Sequence, residues 1–282
     1  MNQDTLKASQ QYLTTGSMRA RVLIVGALTL ASVLTVALLP RIPQDPAYHE
    51  FADGRSMLSI PNFLNVVSNL PFLLIGIAGL LIVARAALRV SIPLFVRRVE
   101  QWPYVTFFLG VALTCVGSSY YHLSPGTARL MWDRLPMSVA FVSLVAAVMA
   151  ERISVRAATV SLLPLLAAGA GSVIYWHVSE QSGSGDLRPY VVVQFYSMAA
   201  ILTMIVLFRS RYTRSADLVA ALLCYAAAKI AELLDAQILS LGSVVSGHTI
   251  KHLAAAASAY WIIHMLKHRE TSPVSTSQAA VA

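Results

Sequence analysis

Eight stretches of almost unbroken apolar residues divide the chain: Val22–Leu39, Val66–Ala84, Pro103–Tyr121, Leu135–Ala150, Ala157–Trp176, Tyr190–Phe208, Leu218–Leu239 and His248–Leu266. Each is near the roughly 20 residues that a helix needs to cross a bilayer core. The runs do not alternate between apolar and polar positions, so they predict helices rather than barrel strands. Turn formers sit between them, among them Pro40, Pro43, Pro125-Gly126, the Ser182-Gly183-Ser184-Gly185 stretch and Gly242. The pattern therefore predicts an all-α, polytopic membrane helix bundle. The first run reads as an uncleaved signal anchor, because a polar segment (1–21) precedes it and Leu39-Pro40-Arg41 offers no small-residue cleavage site. The Ser/Thr/Ala-rich stretch 270–282 reads as a disordered tail.

Composition supports the membrane reading. Of 282 residues 57% are hydrophobic and only 12% charged, against about 25% charged in a soluble domain. This excludes a soluble enzyme and a disordered chain. The formal charge of +8 could suggest nucleic acid, but its distribution says otherwise. If the N-terminus is cytoplasmic, fourteen of the Lys and Arg residues fall in cytoplasmic segments and five in exterior ones. That is the asymmetry that orients membrane helices, so both termini are expected in the cytoplasm and no nucleic-acid partner is implied. The lean chain and short joints suit a bacterial inner membrane, which makes the exterior side periplasmic. Cys115 and Cys224 lie in apolar runs and read as small buried hydrophobes.

Polar residues are costly in a membrane, so each asks for a reason. The charge count places His122, at the end of the third run, at the same exterior depth as His248 and His252, which open the eighth. His248 and His252 are spaced i, i+4 and share a helix face, with Cβ atoms about 5–6 Å apart. Two imidazoles so placed suit one metal ion, and His122 would make a third ligand. Ser118 precedes His122 by one turn, and Asp133 returns to the same depth beyond the Pro125-Gly126 joint. Three protein ligands with an open position is the pattern of catalytic zinc, with water in the fourth place. Asp133 suits proton transfer and Ser118 a hydrogen bond to the water or an oxyanion. Asp133 equally suits a helix cap, and Ser118 a bond to the carbonyl one turn earlier. His49, His177, His264 and His268 read as interfacial. Lys229 and Glu232 read as an i, i+3 ion pair, Asp235 as a partner for a metal-bound histidine, and Lys251 as a side chain reaching toward headgroups.

The order Ser118-Ser-Tyr-Tyr-His122, then Asp133, then His248-Thr-Ile-Lys-His252 resembles the alkaline ceramidases and the wider group that includes the adiponectin receptors. Asn65-Val-Val-Ser-Asn69 is also similar to that family's first core helix. The resemblance spans roughly Tyr48 to Leu266. It implies a seven-span domain at 48–269, preceded by one extra N-terminal transmembrane helix and linker at 22–47. It further implies zinc on His122, His248 and His252, a water held by Ser118 and Asp133, and cleavage of ceramide or a related lipid amide to a long-chain base and a fatty acid. The alternative is a zinc-containing receptor or scaffold of the adiponectin-receptor type, without turnover. One departure stands out. Animal alkaline ceramidases carry an acidic, Trp-containing calcium loop before the first core helix. Here Glu50, Asp53 and Asn62 are the only candidates for that calcium site, and Asn62 stands where the family places Glu. Calcium wants about six to eight oxygen ligands.

Overall fold

A computed structural model describes residues 3–88 and 94–272 of the chain. Among these, every regular element is a helix: α1 (Gln3–Leu38), α2 (Phe63–Val67), α3 (Leu70–Leu88), α4 (Gln101–Leu123), α5 (Thr127–Arg152), α6 (Val155–Gln181), α7 (Arg188–Leu207), α8 (Ser215–Leu233), α9 (Asp235–Gly242) and α10 (Gly247–His268). The fold is all-α, as the pattern predicts. Six segments are long and apolar enough to cross a membrane: Met18–Leu38, Phe63–Ala86, Arg98–Leu123, Thr127–Arg152, Val155–Gln181 and Arg188–Leu207. The remaining two long helices are more polar than the eight-run reading anticipates. Asp217, Lys229 and Glu232 fall within the nineteen residues of α8, and α10 carries four histidines and two lysines.

Two of the apolar runs are broken. The second is split into α2 and α3 at Ser68-Asn69. The seventh ends at Leu233; the chain turns at Leu234 (φ −100°, ψ 24°) and starts the short α9 at Asp235. The N-terminal run is a longer helix than expected, beginning at Gln3 instead of following a polar segment.

Helix α5 is at the centre, packed against α4, α6 and α7, while α3 flanks α4 and α10 flanks α8. Phe108 (α4), Ala147 and Val148 (α5), Ile201 and Met204 (α7) and Ile262 and Leu266 (α10) are wholly buried in one continuous core. Helix α1 packs on the outside against α7 and leaves an apolar surface exposed along Leu23, Leu30, Val33 and Leu38.

The C-terminal end of α4, the N-terminal ends of α5 and α10, and the long 39–62 loop meet at one end of the bundle. The opposite end is locked by a buried network. Arg269 (8% exposed) pairs with Glu151 (2% exposed), which also accepts the Tyr104 hydroxyl. The Arg269 guanidinium lies 4.1 Å from the Tyr212 ring centroid and donates to the Leu94 carbonyl at 2.9 Å. Within the stretch expected to be disordered, Thr271 bridges Tyr212 and Ser272 N–H donates to the Arg211 carbonyl at 2.8 Å. Residues 273–282 lie outside the described residues.

Candidate metal centre and its cavity

A close contact between α4 and α5 builds the first half of the site. Proline has no N–H, so Pro136 leaves the carbonyl of Trp132, four residues earlier, without its helical donor. Gly117 on α4 sits against that carbonyl; a Cβ there would overlap the Trp132 oxygen. The two backbones can therefore approach only because residue 117 is glycine. The contact sets Ser118 beside Asp133, with the hydroxyl facing the carboxyl group. Both are buried, at 1% and 5% exposure.

The second half depends on the break after α8. Asp235, just past the break, accepts the His248 backbone N–H at 2.7 Å through one carboxylate oxygen and the Ala52 N–H at 3.0 Å through the other. It thus caps α10 and ties the 39–62 loop to it. The reading of Asp235 as an imidazole partner is corrected: it holds the backbone of His248, not the ring. Gly247 allows this turn, since a Cβ there would meet the Ala231 carbonyl oxygen and, at 2.7 Å, the Asp235 Cα.

The three histidines converge as the spacing predicts. His122, His248 and His252 are all buried, and their ligand nitrogens lie within 4.8 Å of one another. Ring centroids are 4.9 Å apart for His122–His248, 5.0 Å for His122–His252 and 4.9 Å for His248–His252, with interplanar angles of 76°, 64° and 83°. The Nε2 atoms of His122 and His248 are 3.3 Å apart. Two nitrogens bound at zinc distances in a tetrahedral shell stand about 3.3 Å apart, so the donor set and spacing fit one such ion. This buried group can hold a metal ion.

The neighbours orient the rings. Ser68 Oγ lies 2.8 Å from His252 Nδ1 and 3.2 Å from the Asn65 carbonyl. Asn62 Nδ2 donates to the His122 carbonyl at 2.9 Å. Thr249 donates to Asn65 Oδ1 at 3.0 Å, fixing α2 on α10. Phe51 covers the outer side, with its ring centroid 4.7 Å from His122 and 4.5 Å from His248. His49 bridges the Tyr121 and Thr127 hydroxyls at 2.9 and 3.1 Å; burial, and then the nearby Arg134 charge, hold it below the usual histidine range.

A cavity of about 200 Å³ opens from this centre into the bundle, walled by His252, Ser118, Asp133, Arg134, Lys251 and Glu232 among others. Lys251, expected to reach outward, instead lies in this wall. It donates to Glu232 at 2.8 Å and to His248 Nε2 at 3.2 Å, so it competes with any ion for that lone pair and keeps Glu232 as its other partner. Lys229 pairs with the same carboxylate, as its spacing suggests. A second, apolar cavity of about 90 Å³ shares Phe72, Thr114, Met137, Tyr225 and Ala255 with the first and runs deeper, past Phe107, Val111 and Leu144. At the rim of the polar cavity, Phe195 of α7 is 53% exposed and the Lys229 side chain of α8 is 32% exposed, which puts its mouth on the side of the bundle.

Sequence reasoning missed Arg134, which counts as an exterior joint charge by position. It is 4% exposed, with its guanidinium 4.4 Å from the Trp176 ring centroid, 4.9 Å from Tyr190 and 5.2 Å from Tyr48. Trp176, read as interfacial with His177, is fully buried beneath it. His264, also read as interfacial, contacts Asp217 at 3.1 Å.

The residues named for calcium are placed otherwise engaged or exposed. Asp53 gives both carboxylate oxygens to Arg55, at 2.8 Å each, and Asn62 donates its amide to His122. Glu50 is exposed. The hydrogen bond from Arg55 holds the Asp53 carboxyl below the ordinary carboxylate value.

No protein-family model matches the chain, and no curated protein matches it. The similarity to the alkaline ceramidases therefore rests on the three motifs themselves.

Proposed function

We propose that this chain is a membrane-embedded, zinc-dependent hydrolase of lipid amides, with ceramide-type lipids as the reference substrate class. The observation that carries the reading is one shared cavity wall. His252, one of three converging buried imidazoles, lines a polar cavity together with Ser118 and Asp133, and that cavity continues into an apolar one. A structural metal site needs neither an adjoining cavity nor a free carboxyl group.

His122, His248 and His252 would hold the ion. When bound, zinc polarises a carbonyl and lowers the pKa of water to about 7. Asp133 takes a proton from the attacking water on its carboxylate oxygen and delivers it to the amide nitrogen as the C–N bond breaks. The water oxygen ends on the acyl carbon, giving a fatty acid and an amine. The Ser118 hydroxyl donates to the oxygen that gains negative charge. The deeper apolar cavity receives the chain, and the side mouth between α7 and α8 admits a lipid without its leaving the bilayer.

The same reading places all eight long helices in the membrane as a seven-span domain with one additional N-terminal span. Pairing of Lys229, Glu232 and Lys251 at the cavity wall accounts for the polarity of α8 and of the start of α10. The basic excess at the end opposite the histidines puts both termini in the cytoplasm and the metal centre in the exterior, periplasmic half of a bacterial inner membrane.

The test uses purified full-length protein in nanodiscs. Zinc content and hydrolysis of a fluorescent ceramide are measured for wild type, His252→Ala and Asp133→Asn. The expected result is lost zinc and activity in His252→Ala, and retained zinc with activity reduced at least 100-fold in Asp133→Asn. Full activity in either variant overturns the mechanism. Zinc retained with no turnover of any lipid amide would return the chain to the receptor or scaffold reading.

A further inference from the structure

The cavity beside the metal centre holds a cation with no ion-pair partner among the described residues. Arg134 is 96% removed from solvent, since its exposure is 4%, and it lines the polar cavity. Its Nη1 has no hydrogen-bond partner among the described residues. The ion pairs there all involve other residues, so no described carboxylate lies within 4.0 Å of its guanidinium. Three aromatic faces surround it, from Trp176, Tyr190 and Tyr48. Such faces attract a guanidinium but accept none of its five N–H donors in a bidentate way.

The other charges on the wall do not resolve this. Lys229 and Lys251 both bind Glu232, whose carboxylate also accepts the Tyr48 hydroxyl at 3.2 Å. Asp133 lies beside Ser118 and feels the charges of Lys251 and Arg134, but it forms an ion pair with neither. Three cations therefore face two carboxylates, so this wall carries one positive charge in excess, and Arg134 is the cation there without an ion pair among the described residues. A buried unpaired charge is among the costliest features a fold can keep. A planar fork of donors at a cavity wall is the geometry that recognises carboxylate or phosphate oxygens.

We propose that Arg134 is an anion subsite, and that lipid amides with an oxyanion on the amine side, such as an N-acyl amino acid or an N-acyl aminoalkyl phosphate, are cleaved in preference to neutral ones such as ceramide. This deepens the lipid amidase reading and rests on it. The acyl chain enters the apolar cavity, the amide lies at the histidine and Asp133 wall, and the oxyanion of the departing amine reaches Arg134. Arg134 thus acts as a specificity determinant, and a neutral amino-alcohol head leaves it unpaired.

The experiment compares three substrates with one acyl chain: N-palmitoylglycine, N-palmitoyl phosphoethanolamine and the neutral N-palmitoylethanolamine. Zinc-loaded wild type, Arg134→Gln and Arg134→Lys are assayed in nanodiscs, together with the shift in melting temperature caused by dodecyl phosphate, dodecanoate and dodecanol. Wild type is expected to prefer at least one anionic head over the neutral one by 10-fold or more in kcat/KM. Arg134→Gln should lose that preference, with the rise in KM larger for the anionic amides than for the neutral one, and Arg134→Lys should retain part of it. Dodecyl phosphate should raise the melting temperature of wild type and not of Arg134→Gln. Equal losses on all three amides, or a wild-type preference for the neutral one, would overturn the subsite. So would relief of inhibition by added dodecanoate in Arg134→Gln without a change in head preference, because the anion would then be the fatty acid. If wild type binds dodecyl phosphate through Arg134 but cleaves none of the amides, the hydrolase reading falls while the anion site stands.

Discussion

Ser68 Oγ stands 2.8 Å from Nδ1 of His252. The serine proton is directed to the Asn65 carbonyl at 3.2 Å, so its oxygen accepts the Nδ1–H of the ring. That assignment leaves the His252 Nε2 lone pair free for a metal, with the tautomer fixed by the network. Ser68→Ala removes the acceptor without touching a ligand. The expected outcome is metal affinity weaker by about 10–100-fold, measured by competition with a chelator. Unchanged affinity would remove Ser68 from the site.

The α4–α5 contact predicts a sharp difference between two glycines. Gly117→Ala forces a methyl group into the Trp132 carbonyl, whereas a Cβ at Gly126 meets nothing within 4 Å. Gly117→Ala should cost about 1–3 kcal/mol or more in stability and separate Ser118 from Asp133, so activity falls with it. Gly126→Ala should leave both near wild type. Thermal unfolding and turnover of the pair check this.

Asp235 predicts a coupled loss. Asp235→Ala deletes one of the side-chain acceptors at the start of α10, beside the Ser246 cap, together with the tie to Ala52. A lost cap costs about 0.5–2 kcal/mol, and here it also frees the backbone of a proposed ligand, His248. Both melting temperature and metal content should drop. Asp235→Asn keeps one acceptor oxygen and should fall between.

The Glu151–Arg269 pair at the far end predicts the opposite separation. Glu151→Gln leaves Arg269 buried without its counter-charge, a change of about 3–5 kcal/mol. Stability should fall while metal stoichiometry of the folded fraction stays unchanged, as measured by calorimetry and metal analysis.

Acid sensitivity follows from two loop aspartates. Asp53 and Asp186 are each held below the ordinary carboxylate value of 3.8, first of all by hydrogen bonds from Arg55 and Arg188. A depressed folded pKa means the unfolded chain binds protons first as pH falls. The contribution is therefore complete above pH 3.8 and is lost as pH drops from there through the folded values. Asp53→Asn combined with Asp186→Asn should flatten the acid limb of a melting-temperature profile below pH 5 and lower stability at neutral pH.

Much of this protein is determined by its sequence. Apolar run length decides helices over strands, because a lipid-facing backbone must satisfy its own hydrogen bonds. The i, i+4 spacing of His248 and His252 needs no tertiary information, since helix periodicity alone puts them on one face. The motif order also brings His122, Ser118 and Asp133 to the same end. Tertiary structure decided the rest. The break at Leu234 and the direction of the Asp235 carboxylate depend on what stands one helix away. Lys251 and Arg134 read as outward charges, because residue number cannot say whether a long side chain turns to headgroups or to a cavity. Packing around Gly117, Trp176 and Glu232 makes that choice, by fixing where room and counter-charge exist inside the bundle.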